Sequence, residues 1–193
     1  MDSHFRAGFV VVAGLLMTTT VSFADRDDPG NSMYSFGPGS EIFQPSPVRR
    51  ATVSYAGPHK PGTIVVNTQE RRLYLVLANG QALRYGIGVG RDGFRWGGVH
   101  TVTAKREWPD WTPPPQMLKR EPDLPRFMPG GPDNPLGARA MYLGSTIYRI
   151  HGSNEPETIG QAVSSGCFRL TNDDVIDLYE RVKVGAKVVV LQG

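Results

Sequence analysis

The chain of 193 residues contains a single cysteine, so no disulfide can staple the fold from within. Its four histidines, His4, His59, His100 and His151, are scattered without ligand spacing. No metal site is therefore expected, and no cofactor. No stretch approaches the roughly 20 consecutive apolar residues that a helical membrane span requires. The formal charge is only +3, and no Lys/Arg cluster interleaves with aromatics, so nucleic acid is not an expected partner. No internal repeat is visible.

What the chain does contain begins with an export-type N-terminus. Arg6 precedes an apolar run from Ala7 to Met17, and Ser22-Phe23-Ala24 offers a small-x-small cleavage site. Residues 1–24 are expected to be a signal peptide cleaved near Ala24, with the mature protein in the periplasm. Residues 25–57 lack apolar periodicity and carry Pro29, Pro38, Pro45 and Pro47 among Gly, Ser and Asn, which predicts a flexible leader. The remaining 58–193 suit one domain. Export gives the lone thiol weight, because exported proteins usually use cysteines in pairs.

From Gly62 the pattern is that of strands. Thr63-Ile64-Val65-Val66 is β-branched, and Leu73 to Leu77 is apolar on both faces. Asn79-Gly80 predicts a tight hairpin that returns through Ala82 to Val89. Further strands are predicted over Val99–Trp108, Ala138–Leu143, Ser145–Ile150 and Lys187–Leu191. One helix is predicted after Thr171, which can cap it with Asp174 three residues on. Val175, Leu178, Tyr179 and Val182 form its apolar stripe. The fold class is mainly β, a twisted sandwich or partly closed barrel with one helix near its end.

Two segments call for a reading of their own. Gly88 to Gly93 fits GxGxxG, but Phe94-Arg95-Trp96-Gly97-Gly98 cannot open the helix a dinucleotide site needs, so a turn between strands is expected. The segment from Trp108 to Pro135 holds nine of the sixteen prolines and two tryptophans. It predicts a stiff loop, over a substrate groove or wrapped on the surface.

The chemistry concentrates between Tyr148 and Thr171. Cys167 follows Gly166, and His151 ends an apolar strand sixteen residues upstream, followed by Gly152. An imidazole can turn a thiol into a nucleophile near neutral pH, and glycines beside both leave room for a substrate carbonyl. Taken by themselves these two residues also suit a small buried thiol and a satisfied polar histidine in a non-catalytic β-module.

His151-Gly152 followed by Ser164-Ser165-Gly166-Cys167-Phe168-Arg169-Leu170 resembles the signature of the L,D-transpeptidase catalytic domain, of the YkuD or ErfK/YbiS type, over about Gly62 to Leu191. The resemblance implies that Cys167 is the nucleophile and His151 its base, with the Gly152 carbonyl orienting the imidazole. It implies oxyanion binding by N–H groups near Gly166 and Cys167. Arg169 would meet a substrate carboxylate or brace the loop, and Ser165 stands at a substrate-side position where the family usually carries His. The implied donor is a peptidoglycan tetrapeptide stem. The implied acceptor is a second stem, an outer-membrane protein or lipoprotein, or water.

Overall fold

The computed structural model describes residues 46–192. The expected signal peptide and the leader up to residue 45 lie outside the described residues. Among the described residues no helix is long and apolar enough to cross a membrane.

The first hairpin forms where Asn79-Gly80 predicts it. β3 (Arg72–Val76) and β4 (Gln81–Gly86) pair antiparallel around Asn79 and Gly80, whose φ angles of 59° and 68° are those this turn demands. β3 is less symmetric than its apolar run suggests: Leu73 and Leu75 are buried, while Tyr74 stays half-exposed and donates from its hydroxyl to Glu70. β2 (Ile64–Asn67) lies on the other side of β3 and is joined in parallel to the last strand, β11 (Lys187–Leu191).

The edge of this layer is a correction to the leader boundary. Residues Ala51–Ser54, expected in the flexible leader, form β1 and pair antiparallel with β4. Their own alternation is weak. Long-range contacts hold the segment instead: Arg50 bonds Asp174 at 3.3 Å and lies 3.4 Å from Asp177, both on the distant helix.

β6 (Gly98–Glu107) turns one layer into the next. Its first residues pair with β11 and its later ones with β7 (Arg139–Leu143), with a register shift between Val102 and Ala104. The extra residue, Thr103, donates its hydroxyl to the Gly144 carbonyl at 3.1 Å. Such a bulge bends the strand and increases its twist. Beyond β7 come β8 (Arg149–His151), shorter than the strand predicted there, and the two-residue β10 (Phe168–Arg169), which runs parallel to β8. The nine-stranded order is β1-β4-β3-β2-β11-β6-β7-β8-β10. Gly88 and Arg169 exchange both main-chain hydrogen bonds, at 2.9 and 3.0 Å. The far edge thereby returns to the chain just after β4. The sheet curls without closing into a barrel, and a separate parallel pair, β5 (Val89–Gly90) with β9 (Ala162–Ser164), sits beside that junction.

The long helix, α2 (Asn172–Arg181), begins at the cap expected for it. Thr171 Oγ1 accepts from the Asp174 N–H at 3.3 Å. Val175, Leu178 and Val182 are buried in the core with Ile150, Phe168 and Leu170. The last-turn carbonyls of Tyr179 and Val182 receive Lys105 Nζ at 2.5 and 2.7 Å, a tertiary cation at the negative helix end. The helix thus clamps the layer carrying β8 and β10. The turn after β5 leads through Gly93 into β6 and not into a helix, as its composition predicts.

Candidate active site

Two parallel strands of two and three residues place the site. In their register Phe168 faces Ile150 and Arg169 faces His151. Ile150 and Phe168 are fully buried in the core. Side chains alternate along a strand, so Arg149, His151 and Arg169 project to the opposite face. Cys167, one residue before Phe168, lies level with Arg149. All four line one groove of about 430 Å³.

His151 is buried, and its Nδ1 lies 2.6 Å from the Gly152 carbonyl oxygen. A carbonyl can only accept, so the proton sits on Nδ1 and Nε2 remains the basic nitrogen. Gly152 is itself fixed, since its N–H donates to the Arg139 carbonyl at 3.0 Å. No side chain fits at this position: a Cβ there would overlap Asn172 Oδ1, which accepts the Ala138 N–H at 2.9 Å. Asn172, at the head of α2, therefore ties the helix to the chain entering β7 and packs against the Gly152 turn.

Cys167 is held as firmly. Ser164 is buried, donates its hydroxyl to the Cys167 carbonyl at 2.6 Å and accepts the Gly166 N–H at 3.1 Å. The Gly166 N–H, expected near the oxyanion, is thus turned inward. The Gly166 carbonyl accepts from Trp96 Nε1 at 2.6 Å, and Trp96 stacks on Tyr148 with centroids 4.3 Å apart. Gly166 adopts φ 111°, and a Cβ here would overlap the Tyr148 ring. Only glycine combines that backbone with so close an approach.

Burial decides the resting charge state. It pulls the His151 imidazole down to about 3, with the Arg169 charge assisting and the Gly152 carbonyl opposing. Cys167 is part-buried as a residue, yet desolvation of its thiol still pushes the pKa up. Hydrogen bonding by Arg149 and the charges of Arg149 and Arg169 pull against that rise. Both shifts favour the uncharged forms, thiol and imidazole.

The proline-rich segment forms one wall of the groove. Trp111 and Met128 exchange main-chain hydrogen bonds at 2.9 and 2.8 Å, folding it back on itself. Between them lies α1 (Pro115–Arg120), a short helix where the sequence predicted only loop. Trp111, Met117, Leu124 and Met128 face the groove with Cys167. Arg120 reaches Ser165 Oγ at 3.2 Å, so Ser165 is held by this wall. Arg169 bonds Glu155 at 2.8 Å across the groove rim.

Residues 61–190 match the YkuD L,D-transpeptidase catalytic domain. The chain belongs to that family. A probable L,D-transpeptidase ErfK/SrfK of Escherichia coli (strain K12) is 38% identical over 177 residues, covering 83% of this chain and 55% of that protein. The chain thus spans about half of that curated relative. A Brucella melitensis crystal structure, described as a probable carnitine operon oxidoreductase, is 48% identical, with TM-score 0.52 over 76% of this chain and 96% of that one. An L,D-transpeptidase from Mycobacterium smegmatis shares the fold at 17% identity, with TM-score 0.53 over 67% of this chain and 58% of that one.

Within the groove, sequence reasoning missed Arg149, although it stands two residues before His151 and alternation puts both on one face. Asn172 and the Trp96–Tyr148 stack carried no local signal.

Proposed function

We propose that this chain is an exported cysteine acyltransferase, an L,D-transpeptidase acting on peptidoglycan stem peptides. The observation that carries the reading is one groove lined by both Cys167, just before β10, and His151, at the end of the neighbouring parallel strand β8, with the imidazole locked on Gly152. Family membership favours peptidoglycan stems as the substrate class.

The thiol gives its proton to His151 Nε2 as Sγ attacks the carbonyl between the third stem residue and the terminal D-alanine. The Cys167 N–H holds the oxyanion, since the Gly166 N–H is committed to Ser164. Collapse breaks the C–N bond, Nε2 protonates the departing D-alanine amine, and a thioester remains. An acceptor amine then attacks, passing its proton to Nε2, and the sulfur leaves. A second stem as acceptor gives a 3→3 cross-link, a protein amine gives a wall-anchored protein, and water gives the trimmed stem. Arg169 at the rim, shared with Glu155, meets a stem carboxylate. The apolar wall of Trp111, Met117 and Met128 shields the thioester from water.

An oxidoreductase reading, taken from the Brucella protein's description, gains nothing from Gly88–Gly93, because the strand after that turn offers no helix N-terminus to a pyrophosphate.

Incubation with a defined disaccharide-tetrapeptide, followed by mass spectrometry of the products, tests the reading. Free D-alanine with cross-linked dimer, or with tripeptide, is expected. Intact substrate after exposure to folded protein, with or without an added amine acceptor, would overturn it.

A further inference from the structure

The groove holds two arginines beside the nucleophile, and they are not equivalent. Arg169 is 2.8 Å from Glu155, so its charge is largely met. Arg149 has no carboxylate partner among the described residues. Its buried Nε–H also lacks a hydrogen-bond partner among them. A buried donor left unmet is costly, as it also is at Arg84 and Arg139; what sets Arg149 apart is its place in the groove beside Cys167.

The position of Arg149 is fixed by the strands. It is the cross-strand partner of Tyr142 on β7, and its guanidinium lies 5.1 Å from the centre of that ring. The ring braces the guanidinium without neutralising it. Extending the β8–β10 register by one residue puts Arg149 opposite Cys167 on the groove face. Other charged groups line the same groove: Glu121 and Asp133 on the proline-rich wall, Glu155 after β8, and Arg91 after β5. Arg91 is drawn to the Phe94 ring at 4.9 Å.

We propose that Arg149 is the counter-charge of the Cys167 thiolate: its guanidinium hydrogen-bonds Sγ once the proton has passed to His151, and again when the sulfur leaves the thioester. This deepens the acyl-transfer reading and rests on it for the identity of the nucleophile. The assignment explains how a thiol disfavoured by burial becomes usable beside an imidazole that is itself reluctant to charge. It also gives the two arginines separate tasks, Arg149 on the sulfur and Arg169 on the substrate side.

Cys167 is the only cysteine, so alkylation by iodoacetamide reports on it alone. The rate is measured against pH for the full chain and for Arg149→Met, Arg149→Gln, Arg149→Lys and Arg169→Met, with a melting curve confirming that each is folded. Loss of an adjacent opposite charge moves a titration by about one unit or more. The midpoint is expected to rise by that amount in Arg149→Met and Arg149→Gln, and to move least in Arg149→Lys. A smaller shift is expected in Arg169→Met, because Glu155 already shares that charge. An unmoved midpoint in whichever neutral Arg149 variant folds, or an equal shift in Arg169→Met, would overturn the assignment. The assay uses no stem peptide, so failure of the transpeptidase reading appears separately, in the muropeptide products.

Discussion

The Nδ1 atom of His151 lies 2.6 Å from the carbonyl oxygen of Gly152, its neighbour in the chain. A backbone group thus stands where a carboxylate stands in a Ser-His-Asp triad. A carbonyl fixes the tautomer but stabilises an imidazolium less than a carboxylate does. That fits a base that burial keeps neutral, and it makes the base dependent on the shape of one turn.

That turn is predicted to fail when its strut is removed. Asn172→Ala leaves the buried Ala138 N–H without its acceptor and opens space beside Gly152. A buried donor left unsatisfied costs about 1–3 kcal/mol, so urea unfolding should show a loss of that size together with slower acylation. Unchanged stability would remove Asn172 from the account.

The buried imidazole also predicts a pH dependence of stability. The folded pKa is lowered to about 3, below the ordinary value of 6.5. Between those values the unfolded chain binds a proton that the folded chain refuses, so stability falls as pH drops below 6.5. The slope from this residue approaches about 1.4 kcal/mol per pH unit. Asp174, raised to about 6 by burial, acts with the opposite sign, its contribution being lost as pH rises through 6. Both chains of the comparison retain Asp174. Urea titrations at pH 7, 6 and 5 should therefore show a steeper loss in the natural chain than in His151→Gln. Parallel curves would contradict the buried neutral histidine.

Much of this was legible in the sequence, for identifiable reasons. The Asn79-Gly80 hairpin, the capped helix after Thr171 and the closing strand at Lys187–Leu191 each follow from local chemistry, a positive φ, a side-chain cap and a β-branched run. Cys167 stood out as the single cysteine and His151 as a histidine ending an apolar strand, each beside a glycine, and the fold brings both to one groove. What escaped depends on contacts between distant segments. β1 becomes a strand by pairing with β4, and the Ser164 hydroxyl takes up the Gly166 N–H only once the loop is folded. The short helix α1 was hidden by prolines that forbid a helix interior but suit its first turn.

Gly166→Ala should disable the loop without touching either reacting side chain. The added methyl meets the Tyr148 ring, and φ 111° is strained for any side chain. Strain of this kind costs about 1–3 kcal/mol, so a lower melting temperature and slower alkylation of Cys167 are expected. Alkylation at the natural rate would show that the loop tolerates the change.

The proline-rich wall is predicted to act on substrate binding. Arg120→Ala removes an exposed contact between the wall and Ser165, so KM should rise a few-fold with kcat unchanged and only a small change in melting temperature. A fall in kcat at constant KM would place Arg120 in another role.

The most direct test of the central claim is intact-protein mass spectrometry of the chain quenched in acid during exposure to a tetrapeptide stem. The account predicts one adduct, equal to the stem less its terminal D-alanine, mapped to the peptide containing Cys167 and absent from Cys167→Ala. D-alanine release without any adduct on Cys167, or undiminished release by folded Cys167→Ala, would contradict it.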